Sequence, residues 1–96
     1  MSTVLFGLGQ LVATPGALDD LNANGKTAAQ LIERHIVGDF GDVSEADAEA
    51  NRQDIAAGSG RVLSAYVLAD GSRLWIITNI VDGEASDTCI LRPDEY

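Results

Sequence analysis

From residue 61 onward the apolar positions alternate or run continuously, whereas before it they recur at helical spacing. Gly9 to Ala13 reads as a short strand that ends at Thr14-Pro15-Gly16. Thr14 is suited to cap a helix, with Pro15 at the first helical position, where a missing N–H costs nothing. That helix runs through Ala17, Leu18 and Leu21 and stops at Asn24-Gly25. Thr27 and Gln30 form a capping box for a second helix. Its Ala28, Leu31, Ile32, His35 and Ile36 share one face, and Gly38 ends it. A third helix starts at Ser44, carries acids in its first turn and runs to about Ala57, before Gly58-Ser59-Gly60. Its inward face is mostly alanine with Ile55, which predicts close but weak packing.

Residues 61–69 are apolar on both faces, with Val62, Tyr66 and Leu68 on one side and Leu63, Ala65 and Val67 on the other. Asp70-Gly71 predicts a two-residue hairpin into a central strand, Leu74 to Thr78. A loop containing Gly83 leads to a last strand, Thr88 to Leu91, stopped by Arg92-Pro93. The expected fold is a single α+β domain over residues 1–96. It has a short N-terminal strand, two to three helices and a three-stranded antiparallel meander.

Charge narrows the functional classes. The chain has 96 residues, with 15 acids against 6 bases, a formal charge of −9. All of that excess sits in two segments, 39–54 and 82–96, and the remainder is neutral. A surface that neutralises nucleic-acid phosphates needs clustered Lys and Arg, so direct nucleic-acid binding is disfavoured. The clustered acids suit a cationic partner instead. Acid enrichment across a whole proteome, GC-rich or salt-adapted, is the competing explanation. With 46% hydrophobic residues the chain is expected to fold. One cysteine, Cys89, leaves no internal disulfide framework and no Cys-based zinc site. Residues 1–13 lack the basic start of a signal peptide and nothing reaches a membrane span, so the sequence reads as a cytoplasmic domain without membrane contact.

Several blocks carry a resemblance. Leu8 to Leu18 (LGQLVATPGAL), Arg34 to Asp42 (RHIVGDFGD), Leu63 to Tyr66, Leu74 to Thr78 (LWIIT) and Pro93 to Tyr96 occur in that order over nearly the whole chain. Together the chain resembles a family of small proteins of bacterial plasmids, phages and chromosomes. Its members carry labels such as "plasmid-related protein" or "type I restriction endonuclease subunit M". The resemblance implies an accessory protein of a mobile element. The restriction label does not suit this chain, because a methyltransferase subunit needs a cofactor-binding sheet several times this size. The chain departs from the family pattern at two places: Phe40 stands where Trp is common, and Ile77-Thr78 is followed by Asn79-Ile80-Val81 where members place an acidic and basic turn.

Candidate chemistry centres on His35, Asp39 and Asp42, with Glu45 beside them. An imidazole near two or three carboxylates suits a divalent metal or an acid–base pair. The structural alternative makes His35 a helix-face residue and the two aspartates turn residues. The acids from Asp39 onward lack the alternate spacing and central Gly of an EF-hand loop. Gly7-Leu8-Gly9 lacks the rest of a phosphate loop, and a helix–turn–helix over 17–37 would offer Arg34 and little else. Cys89 reads as a small packed hydrophobe, and Ser64 and Tyr66, with Arg61 and Arg73 nearby, as structural pairs or a small anion site.

Three functions follow from the sequence. The first is a non-enzymatic acidic accessory protein, an anti-defence or DNA-mimic inhibitor without cofactor. Its Asp39, Asp42, Glu45, Asp47 and Glu49 would occupy the basic surface of a nucleic-acid-binding defence or replication protein. The second is a small ligand- or metal-binding domain or enzyme centred on His35, Asp39 and Asp42, with Arg61 or Arg73 gripping an anion. The third is a homodimer formed through the edge of the β-meander.

Overall fold

Side-chain caps set where the helices begin in the computed structural model, which describes residues 3–96. Thr14 accepts the Ala17 N–H at 3.1 Å and opens helix α1, Pro15–Ala23. Thr27 and Gln30 exchange both capping-box bonds and open α2, Ala28–His35. Ser44 accepts the Asp47 N–H and opens α3, Glu45–Ala57, which ends at Gly58. Each cap was legible because it needs only residues three apart.

The strands are β1, Gln10–Ala13; β2, Gly60–Val67; β3, Arg73–Val81; and β4, Glu84–Leu91. A 3₁₀ turn, Pro93–Glu95, follows β4. β2, β3 and β4 form the expected antiparallel meander. The sheet nevertheless has four strands in the order β1-β4-β3-β2, because β1 lies parallel on the outer side of β4. It is therefore a mixed sheet, a correction to the three-stranded meander. A parallel pair needs a long crossover, and here the three helices and two hairpins supply it.

The two Asp-Gly dipeptides make different turns. Asp82 and Gly83 both have positive φ, 52° and 80°, as a two-residue hairpin turn between Val81 and Glu84 requires. At the first dipeptide, Gly71 donates to the Leu68 carbonyl and Leu68 N–H to the Ser72 carbonyl. Ala69, Asp70 and Gly71 thus form a three-residue loop with only the glycine left-handed (φ 88°), in place of the expected two-residue hairpin. The Asp70 N–H donates to Asn24 Oδ1 at 3.0 Å, and Asp70 Oδ1 accepts from the Ser72 N–H at 2.9 Å. These bonds tie the turn to the end of α1.

Val62, Ser64, Tyr66, Leu74, Ile76, Thr78, Thr88 and Ile90 share one sheet face and are buried. Ala17, Leu21, Leu31 and Ile32 from α1 and α2 pack with Tyr66, Leu74, Ile76 and Ile90 there. Phe40, Val62 and Ile80 form a second cluster with Phe6, Val43, Ala48 and Ile55. The expected alanine-and-Ile55 face of α3 thus packs on the core, but the one buried residue of α3 is Asn51. On the opposite sheet face Tyr96 meets Trp75 edge-on, with ring centroids 5.8 Å apart.

Candidate functional site

His35 is fully buried at the end of α2. Its Nδ1 lies 2.6 Å from Ser64 Oγ and its Nε2 2.9 Å from Thr78 Oγ1. Thr78 Oγ1 lies 2.7 Å from Thr88 Oγ1, which donates to the Leu8 carbonyl at 2.7 Å. A hydroxyl has one proton to give. Thr88 gives its proton to Leu8, so it accepts from Thr78. Thr78 therefore accepts from His35, whose proton is on Nε2, and Ser64 donates to Nδ1. The ring of Phe6 closes edge-on over the imidazole at 5.0 Å. Burial pushes the His35 pKa down to about 4, which keeps it neutral at physiological pH.

A serine hydroxyl on a histidine nitrogen is also the start of a nucleophile–base pair. Here Ser64, His35, Thr78 and Thr88 are all wholly buried. The clefts described below are not lined by any of them. The arrangement satisfies polar groups inside the core. Sequence reasoning placed His35 on this helix face but did not bring Thr78 and Thr88 to it, because strand register decides those contacts.

Asp39 and Asp42 do not join His35. Asp39 takes a forked pair of bonds from Arg34, at 2.7 and 3.3 Å, and one from the Gly41 N–H. The Arg34 guanidinium holds the Asp39 carboxyl below its ordinary range. Asp42 pairs with Arg73 at 3.0 Å. Both aspartates line a shallow cleft of about 340 Å³ with Arg34, Ala65 and Tyr66. Arg34 stacks on the Tyr66 ring at 4.5 Å, and the Tyr66 hydroxyl donates to the Asp39 carbonyl at 2.6 Å. Burial pushes the Tyr66 hydroxyl pKa up to about 12. Among the described residues no three His, Cys, Asp or Glu side chains stand together as metal ligands. The His35–Asp39–Asp42 group expected from spacing is thus divided between a dry core and a wet cleft.

The other candidate acids lie on α3. Glu45, Asp47 and Glu49 are exposed, and Arg52 bonds both Glu45 and Glu49 at 2.9 and 3.0 Å. The Asp47 carboxylate makes no ion pair among the described residues, and with Asp54, Asn51 and Arg61 it lines a cleft of about 120 Å³. Asn51 bonds both backbone groups of Leu63, and Asp54 Oδ2 accepts the Arg61 N–H at 3.2 Å. Those bonds fix the helix against the outer edge of β2. Sequence reasoning did not single out Asn51; a lone amide in an alanine face was the available signal.

The remaining candidates have local partners. Arg73 is held by Asp42, and Arg92 forks onto Asp20 at 2.9 and 3.0 Å. A wider cleft of about 530 Å³ holds Arg73 and Arg92 together with Asp20 and Asp94, so its cations are offset by acids. Arg61 bonds the Tyr96 hydroxyl and stacks on its ring. Cys89 is half-buried, and burial raises its thiol pKa, with Asp87 and Glu95 adding to the effect. No helix among the described residues is long and apolar enough to cross a membrane.

No protein-family model matches this chain, no curated protein matches it in sequence, and no solved structure matches it in fold.

Proposed function

We propose that this chain is a non-enzymatic accessory protein that binds the basic, nucleic-acid-binding surface of a partner protein, with α3 as the contact element. The observation that carries the reading is the mounting of α3. Glu45, Asp47 and Glu49 all stand exposed on it, with Asp47 turned around the helix from the other two, while Asn51 and Asp54 bond it at fixed register to β2. Carboxylates on a fixed frame lose little freedom on binding, which favours association with an array of cations. Asp39 and Asp42 extend the acidic surface toward the neighbouring cleft. Their arginine pairs, and those of Glu45 and Glu49, are all about half-exposed or more. Such pairs are weak and exchange readily for a partner's cations. The resemblance to plasmid- and phage-borne proteins supports a defence or replication protein as that partner.

The test compares capture from a host lysate by the wild-type chain and by a Glu45→Lys, Asp47→Lys, Glu49→Lys variant, with salt elution and mass spectrometry. The expected result is a nucleic-acid-binding protein retained by the wild type, lost from the variant and displaced by added DNA or RNA. A partner retained equally by both forms refutes the acidic-face reading.

A further inference from the structure

The two edges of the sheet are finished differently. Along β2, every second residue turns its backbone groups away from β3, and each of those positions from 61 to 65 has a partner. The Arg61 N–H goes to Asp54, and both groups of Leu63 go to Asn51. Ala65 donates to the Phe40 carbonyl at 3.0 Å and accepts from the Asp42 N–H at 2.6 Å. That edge is closed to another strand. At the other edge β1 has β4 on one side and, among the described residues, no strand on the other. The Thr14 N–H donates to the Ile90 carbonyl at 3.0 Å. Alternation along the strand therefore turns Val12 and Gln10 toward β4, and the backbone groups of Leu11 and Ala13 outward.

The surface around this open edge is unlike the rest of the molecule. Residues 3–18 contain no charged side chain, in a chain that is 22% charged. They nevertheless supply Val4, Leu5, Leu11, Val12 and Leu18, five of the eight large hydrophobic side chains that stand exposed among the described residues. Natural edge strands are commonly protected by charge, proline or a bulge, and the four residues of β1 have none of these.

We propose that β1 pairs with β1 of a second copy of this chain, antiparallel about a two-fold axis at Val12, joining two sheets into one of eight strands. Each copy carries −9, so most approaches between copies are repulsive. The uncharged N-terminal stretch is the surface on which that repulsion is least. An outward-facing residue must meet an outward-facing residue to form the closely bonded pairs of an antiparallel ladder. With Val12 on the axis, the outward-facing Leu11 of each copy meets the outward-facing Ala13 of the other, so that condition is met for both copies at once, as a two-fold interface requires. Two acids flank the strand: Asp87, opposite Gln10, is held at 3.1 Å by the Asn79 side-chain amide and at 2.8 Å by the Ser86 hydroxyl, and Glu95 accepts from the Thr14 hydroxyl at 2.7 Å.

The dimer responds to salt in the opposite sense to partner binding by α3, so the two readings fail separately. Sedimentation equilibrium on the full chain is expected to give twice the 10.1 kDa chain mass. Self-association should strengthen several-fold as salt rises from about 0.05 M to about 0.5 M, because screening removes the repulsion between copies. Leu11→Lys should be monomeric, and Val67→Lys, at an exposed site outside the stretch, should remain dimeric. Hydrogen exchange on the wild type provides a second readout, with Leu11 and Ala13 amides protected more strongly as concentration rises. A monomer at every concentration and salt refutes the proposal and leaves the edge to another protein's strand. A dimer that survives Leu11→Lys, or that leaves those amides unprotected, places the interface elsewhere and refutes it equally.

Discussion

The Asn51 carboxamide stands against Leu63 as a neighbouring strand would, with Oδ1 accepting the Leu63 N–H at 3.0 Å and Nδ2 donating to its carbonyl at 2.7 Å. One side chain thus does two things. It closes the edge of the sheet, and it fixes the register of an acidic helix that has little apolar surface with which to hold itself in place.

Replacing Asn51 therefore removes two bonds and leaves two backbone groups beneath a helix without partners. Asn51→Leu should cost about 2–4 kcal/mol, at about 1–2 per orphaned group, in urea denaturation. Asn51→Asp, close in size, should also destabilise, because it sets a carboxylate oxygen against the Leu63 carbonyl. If both variants unfold at the wild-type urea midpoint, the amide is not what holds α3.

The buried imidazole makes stability depend on pH. The His35 pKa is about 4 in the folded chain against an ordinary 6.5, so between those values the unfolded chain binds more protons. The contribution is complete above pH 6.5 and falls as pH drops through that window, by about 3 kcal/mol over its full width. Asp39 and Glu95, whose folded pKa values are depressed, lose their contributions at lower pH, below ordinary values of 3.8 and 4.5. Urea midpoints at pH 7, 6, 5 and 4.5 separate the two effects. A profile flat to pH 5 would show that His35 is not held neutral by burial.

Proton order in the core fixes a spectroscopic signature. Nitrogen NMR at pH 7 should find His35 protonated on Nε2 and bare on Nδ1. Thr88→Val removes the hydroxyl that links Thr78 to the Leu8 carbonyl and should cost about 1–3 kcal/mol, whereas Thr88→Ser should recover most of it. An Nδ1–H tautomer would reverse the chain and contradict the assignment.

Arg52 lies across Glu45 and Glu49 on an exposed helix face. Arg52→Ala should leave the unfolding midpoint essentially unchanged, because exposed pairs contribute little. It also frees two carboxylates, so a partner captured through α3 should elute at higher salt from the variant than from the wild type. Elution at the same or lower salt would count against α3 as the contact element.

Much of this was present in the sequence because it is local. Thr14, Thr27 and Ser44 cap their helices through bonds that span three residues, and the i, i+3, i+4 row that buries Leu31, Ile32 and His35 needs no distant partner. The meander was also legible, since strand alternation and turn residues lie within one stretch of chain. The difference between the two Asp-Gly turns was not, because the bond from Asp70 to Asn24 joins residues 46 apart.

Site chemistry divides on the same line. Sequence spacing put His35, Asp39 and Asp42 within eight residues, and Gly38 turned the chain between them. Ser64 and Thr78 are brought to His35 by the register of β2 on β3, while Arg34 and Arg73 draw the two aspartates into solvent. The caps, the helix faces and the clusters of acids follow from residue order alone, since period and charge are properties of neighbours along the chain. That β1 joins β4, that one edge is sealed by Asn51, Asp54 and residues 40–42 while the other stays open, and that the histidine is dry all come from the folded arrangement. Each of those depends on backbone or side-chain groups meeting across long stretches of sequence, and the free energy of such contacts is set by packing, register and burial.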